Sequence, residues 1–286
     1  MKPAPFTYHR PGTIEDALGL LARYGGDAMA LAGGQSLVPR LNARQVRPEA
    51  LVDINRIAGL DGACFDGRTL RVGAMSRLCD LERDRLVRAH APALAQAAAL
   101  VGHPQIRTQA TIGGSLCHAD PAAELPVLCL ALGATLHLRA ASGARQVEAG
   151  EFFRAPHRTA LVDGELLVAI DFEPSLGFGW FEEVSLRAHD RPLVCAAVDL
   201  AVTDGVVTAA RIAAGGVADR PVRLTAAAQA LIGHAAPDAA QAAADAAAAE
   251  VAPPATFDAP SAYRRAQLRT VVRRALVRIG ELVEAS

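Results

Sequence analysis

Two short stretches combine residue types suited to holding an anion. Ala32-Gly33-Gly34-Gln35-Ser36, within "LAGGQSLVP", and Thr111-Ile112-Gly113-Gly114-Ser115, within "TIGGSLCHADPAAELP", each pair two adjacent glycines with a hydroxyl side chain. Glycine has no Cβ to block close approach and tolerates positive φ, so such a loop can turn several backbone N–H groups toward one phosphate. Taken singly, either stretch is equally a plain turn. Two of them about 80 residues apart predict a diphosphate gripped from both sides, the shape of a dinucleotide, where one loop alone would not. The two standard phosphate motifs do not fit. No Lys-Ser or Lys-Thr follows the glycines, which excludes a P-loop, and Gly33-Gly34 lack the spacing of GxGxxG. Asp53 lies 19 residues beyond Gly34, near where a ribose-binding acid of a Rossmann unit would sit, and is equally a strand-end carboxylate capping "INRI".

The elements around the loops are legible from periodicity. Thr13 is an N-cap for a helix with Ile14, Ala17, Leu18 and Leu21 on one face, and Gly25-Gly26 stop it. Strands are expected at residues 6–8, 28–31 and 51–54, so the first glycine loop follows a strand and leads into a helix at 36–42. A hairpin at Asp66-Gly67, helices at 76–83, 91–101 and 122–132, and strands at 134–139, 145–148 and 165–172 form a second lobe. Residues 174–179 read as a linker. Beyond it come two long strands around Asp204-Gly205 and three helices. The alanine-rich tract 239–249 is one of these, and the last carries a 3.6-residue apolar stripe from Leu268 to Val283. Its arginines form either a solvated face or a contact for a partner subunit. The expected division is 1–58, 59–174 and 178–286.

Composition narrows the function. In 286 residues, 29 Lys+Arg nearly balance 30 Asp+Glu, so no global field recruits nucleic acid. No apolar run of membrane-spanning length and no secretory h-region is present, which points to a cytoplasmic protein with no membrane span. Five cysteines, at 64, 79, 117, 129 and 195, form no CxxC pair; only Cys117 neighbours candidate site residues. His118 and Asp120 suggest a metal pair, but the other histidines supply no ligand spacing, so no metal is expected.

"LAGGQSLVP", "VGHPQIR", "TIGGSLCHADPAAELP" and "GELLVAI", in this order, resemble the medium, FAD-binding subunit of the xanthine dehydrogenase and carbon monoxide dehydrogenase family of molybdenum hydroxylases. The likeness covers nearly the whole chain. It implies an α+β fold: a two-lobed FAD-binding domain of the vanillyl-alcohol-oxidase type, and a C-terminal domain of a small antiparallel sheet with helices. It also implies that the amides of Ala32, Gly33, Gly34, Gln35 and Ser36 and of Thr111, Gly113, Gly114 and Ser115 hold the pyrophosphate. Ile112 lies within the second loop. Asp120 and Glu124 fall where acids meet ribityl or ribose hydroxyls, a role compatible with also serving as the N-cap and first-turn acid of a helix. Val101 and Ile106 would pack along the isoalloxazine ring, and Leu167 would meet the flavin through its backbone unless it is an ordinary core residue. Arg191 stands where relatives often carry an aromatic residue, and is placed either by the ring or on the surface. Thr108-Gln109-Ala110 replaces the Asn-Arg-Gly common before the second loop.

The implied function is electron transfer, with no catalytic acid–base group on this chain. A small iron-sulfur subunit would deliver electrons from a large molybdenum-cofactor subunit to FAD, which passes them to an external acceptor, in a dimer of heterotrimers. A free-standing flavin oxidase would need a general base over the ring and a larger substrate domain. A structural subunit that has lost FAD would keep the fold alone.

Overall fold

The computed structural model describes residues 2–286. Strands Thr7–His9, Ala50–Asp53 and Ala28–Leu31 form a parallel sheet with Ala50–Asp53 in the middle. Helix Ile14–Tyr24 covers this sheet, capped as expected: the Thr13 hydroxyl accepts from the Asp16 amide, and Gly25 ends the helix at φ 54°. Ala28–Leu31 is therefore an edge strand. The first glycine loop leaves from its C-terminal end, where backbone donors have no neighbouring strand to bond.

The second sheet is antiparallel, in the order Ala63–Phe65, Leu70–Gly73, Leu166–Phe172, Thr135–Ala140, Gly143–Glu148. Helices Pro92–Leu100 and Glu124–Ala131 lie in its core with Phe152, Phe172, Leu94 and Leu128. Every residue of Glu124–Ala131 is buried, which explains why that segment shows no polar stripe. The third sheet, in the order Phe178–Ser185, Pro192–Thr203, Val206–Gly215, Val222–Arg223, turns at Asp204-Gly205 and is covered by helices Ala236–Glu250 and Ser261–Glu284. The three apolar cores are not sealed from one another. Leu60, Met75 and Leu166 join the core of the first sheet, and Phe181, Cys195 and Ala213 join that of the second.

Several expected elements differ. The helix expected over 76–83 is a single turn, Leu78–Leu81, because Arg77 is extended and this segment is bonded to the second glycine loop: Leu78 N donates to Ala110 O and Ile112 N to Ser76 O. Further short helices, Arg85–His90 and Pro104–Arg107, follow Asp84 and His103. The expected linker 174–179 is a pinned connector. Ser175 N donates to His90 O, Leu176 N to Asp199 Oδ1, and a strand begins at Phe178. Apolar periodicity carries no trace of such side-chain tethers. Among the described residues, no helix is long and apolar enough to cross a membrane.

Gly280 supplies a test of the helical layer. Alanine is favoured over glycine in a helix interior by about 1 kcal/mol, but a Cβ at Gly280 would overlap the Pro237 ring of the neighbouring helix. Overpacking of this kind costs about 1–3 kcal/mol, so Gly280→Ala is expected to lower the urea midpoint despite its better propensity. An unchanged or raised midpoint would show that the helices separate at no cost.

Candidate functional site: a cleft between two glycine loops

The two glycine loops meet. A Cβ at Gly33 would overlap the carbonyl of Gln109, just before the second loop, and one at Gly114 would lie 3.9 Å from Ala32 Cβ. Glycine at 33 is thus required by the closeness of the two chains. At Gly34 the requirement is conformational, with φ at 72°.

The loops differ in how their amides are used. Among the described residues, nothing accepts a hydrogen bond from the amides of Ala32, Gly33, Gly34, Gln35 or Ser36. Backbone donors left unbonded at a half-buried loop are suited to an anion. In the second loop Ile112 N donates to Ser76 O, Gly113 N to Ala74 O at 2.8 Å, Gly114 N to Thr111 Oγ1 at 3.1 Å and Ser115 N to Thr111 O. The expectation that Gly113, Gly114 and Ser115 offer free amides is corrected: capping and the bond to Ala74 occupy them. Thr111 N and the hydroxyls of Ser36, Thr111 and Ser115 keep donating capacity, since a hydroxyl that accepts from an amide still has its own proton to give. Gly113 is needed for another reason, because a Cβ there would press on Ala74.

Two cavities run from this meeting point. One, of about 320 Å³, is lined by Ala32 to Leu37, Arg40, Val101, Ile106, Thr111, Ser115 and His118. The other, of about 540 Å³, is lined by Ile54, Gly113, His157 to Thr159 and Leu161 to Leu167. Met29, Ala30, Ala32, Gly114 and Cys117 border both, so the cavities are two arms of one cleft. Each arm has the volume of a ligand pocket, roughly 300–1,000 Å³. Val101 and Ile106 line the first arm together; Leu167 lines the second. Leu167 thus lies across the shared border from Val101 and Ile106.

The remaining expected residues lie outside both arms. Asp120 Oδ1 accepts from Ala122 N at 2.9 Å, and its Oδ2 pairs with Arg191 at 3.3 Å. Arg191 also reaches Asp258 at 3.4 Å. It thus bridges two segments through exposed ion pairs. Glu124 is only 4% exposed. Burial pushes its carboxyl up to about 8, with Glu183 and Asp120 adding repulsion, so it is mostly protonated at neutral pH. Among the described residues, no group of three or more His, Cys, Asp or Glu is placed to hold a metal ion, and His118 instead stacks near His157, whose Nδ1 meets the His118 carbonyl.

Asp53 settles the Rossmann alternative. It is bonded by the Tyr8 hydroxyl, by Asn55 N at 3.0 Å and by Asn55 Nδ2 at 2.6 Å. Burial opposes its ionisation, but these bonds outweigh burial and hold the carboxyl below the usual range. The acid is a strand-end cap with no role left for a ribose. Sequence reasoning missed Asn55 and Arg77, which join the loops: Asn55 Nδ2 donates to Ala32 O and Arg77 donates to Gln109 O. The Asp53-x-Asn55 spacing is that of an Asx turn and was the available signal for Asn55; nothing local marked Arg77.

A parallel sheet and an antiparallel sheet, joined at a cleft with unbonded amides at its centre, define a two-lobed protein that binds an anionic ligand. Residues 4–173 match the family described as the FAD binding domain in molybdopterin dehydrogenase, and residues 180–279 the CO dehydrogenase flavoprotein C-terminal domain. The chain belongs to the FAD-binding medium subunits of the xanthine dehydrogenase and carbon monoxide dehydrogenase type. It is 39% identical to the 6-hydroxypseudooxynicotine dehydrogenase complex subunit alpha of Paenarthrobacter nicotinovorans, over 97% of this chain and 95% of that one. It is 37% identical to the carbon monoxide dehydrogenase medium chain of Hydrogenophaga pseudoflava, over 96% and 97% of the two chains. In structure it matches a chain of the reconstituted CO dehydrogenase from Oligotropha carboxidovorans with a TM-score of 0.94 at 34% identity, covering 98% and 99%. The FAD-binding domain and the oxidoreductase class implied by the resemblance are thereby established.

Proposed function

We propose that this chain holds FAD across the two arms of the cleft and transfers electrons within a molybdenum-containing hydroxylase. A small iron-sulfur subunit supplies the electrons, drawn from a large molybdenum-cofactor subunit, and an external acceptor receives them. The complex is a dimer of heterotrimers in the cytoplasm. The observation that carries this reading is the row of five unbonded amides from Ala32 to Ser36, facing the hydroxyls of Thr111 and Ser115.

Those amides would hold the diphosphate, with charge-assisted hydrogen bonds from Ser36, Thr111 and Ser115. Val101 and Ile106 would exclude water from the ring in one arm, and Leu161 to Leu167 would receive the adenosine in the other. This places Leu167 at the end remote from the ring. Asp120 orders the turn before helix Glu124–Ala131 by accepting from Ala122 N, and Glu124 opens that helix. When bound, FAD supplies the redox exchange, and the chain contributes placement and electrostatics. We also propose residues 1–58 and 59–174 as the two lobes and 178–286 as the C-terminal domain.

Relatives of similar identity belong to complexes named for caffeine and for 6-hydroxypseudooxynicotine. This supports placing substrate choice on another chain. The purified full chain is expected to take up one FAD and to turn over no heterocycle, aldehyde or carbon monoxide alone. With its co-purified partners, substrate is expected to bleach the flavin absorbance. Turnover by the isolated chain would overturn the electron-transfer reading, and failure to take up FAD would leave only a structural subunit.

A further inference from the structure

Asn55 and Arg77 line a separate cavity that shares no residue with the arm lined by the first glycine loop. The Asn55 side chain is fully committed although solvent reaches it. Its Nδ2 donates to Ala32 O at 2.9 Å, Leu31 O at 3.3 Å and Asp53 Oδ1 at 2.6 Å, while its Oδ1 accepts from Arg77 Nη2 at 2.6 Å. Arg77 Nη1 donates to the Gln109 carbonyl, the group packed against Gly33. One pair of side chains thus holds a carbonyl of each loop.

A trans peptide is planar, with its C=O and N–H pointing in opposite directions. The Leu31 carbonyl is held by Ile54 N at 3.1 Å as well as by Asn55, and turning the Ala32 carbonyl toward Asn55 turns the Gly33 amide away from it. Gln35 does the same one step on, its Nε2 donating to Gly33 O at 3.1 Å and so directing the Gly34 amide. We infer that Asn55 and Arg77 are positioning residues that aim the first loop's amides at the ligand diphosphate and lock the two glycine loops in register. Neither touches the ligand. This rests on the reading of the Ala32–Ser36 amides as the diphosphate cradle.

The full chain, stripped of flavin and titrated with FAD by fluorescence, tests it. Asn55→Ala is expected to weaken FAD binding about tenfold, since an unanchored peptide plane loses the directed donor. Asn55→Asp, which keeps an acceptor for Arg77 but has no N–H to hold the carbonyls, is expected to match it. Arg77→Ala is expected to weaken binding as well, and Arg77→Lys to recover part of the loss. The ³¹P resonances of bound FAD should shift in Asn55→Ala while the visible flavin band stays in place, a pattern that general loss of structure does not produce. FAD affinity within twofold of wild type in Asn55→Ala would overturn the positioning role, as would weaker binding with unshifted ³¹P resonances. A wild-type chain that takes up no FAD would overturn the cradle reading itself, and with it this one.

Discussion

Gly33→Ala is expected to reduce FAD affinity about ten- to a hundredfold, and Gly33→Asp to abolish uptake. The reason is space and not conformation: Gly33 does not sit at positive φ, yet a Cβ there would overlap the Gln109 carbonyl and come within 2.9 Å of Ala110 Cα. All of these neighbours are backbone, so relief requires the loops to part. Forcing such a contact costs about 1–3 kcal/mol in stability. Because the cradle exists only where the loops touch, most of the effect should appear in binding. Asp adds a negative charge beside the phosphates. Gly34→Ala is the control. Its φ of 72° carries a conformational penalty, but the nearest atoms to an added Cβ are side-chain methyls of Val38 and Leu31, at 3.2 and 3.4 Å. The flavin-to-protein absorbance ratio after purification, with dissociation constants by fluorescence, should rank wild type above Gly34→Ala above Gly33→Ala. An unchanged Gly33→Ala would show that the loops are not a ligand site.

A second large effect is expected from Glu124. Its carboxyl titrates at about 8 in the folded chain against about 4.5 when unfolded, because burial penalises the charged form. Between these values the folded state holds the proton and the unfolded state does not, so this group's contribution to stability falls as pH rises through that window. Taken through the whole window the loss is on the order of 5 kcal/mol. Glu183, pushed up to about 7 by its own burial and by Glu182, adds to the same slope. Glu124→Gln keeps the volume and removes the charge. It should match wild type in urea unfolding at pH 4, below the unfolded value, and exceed it by a few kcal/mol at pH 8.5. Parallel stability profiles for the two proteins would mean that the carboxyl is solvated.

The sequence carried the outline of the fold because its elements are marked locally. Thr13 and Gly25 bound the first helix, Asp204-Gly205 closes the long hairpin, and the apolar stripe of Ser261–Glu284 names the face that packs. The two glycine loops were equally legible, since few residue patterns admit such close backbone approach. What stayed hidden depends on partners distant in sequence. The engagement of Gly113 by Ala74 and of Asp120 by Arg191, and the tether from Leu176 to Asp199, join residues 23 to 71 positions apart. Leu167 illustrates the same limit. Its strand was evident, but which arm of the cleft it lines depends on the stacking of the lobes.

The unequal commitment of the two loops bears on how such a subunit matures. The second loop is largely complete without a ligand, its amides from Ile112 to Ser115 already bonded within the chain. The first extends from an edge strand and carries five amides that only solvent or a ligand can satisfy. A ligand that binds the folded form stabilises it in proportion to the logarithm of its excess over Kd, and here that stabilisation falls on one lobe. Loading thus becomes a local quality mark: an empty subunit betrays itself to proteases and assembly partners at Ala32–Ser36 while the rest of its surface looks finished.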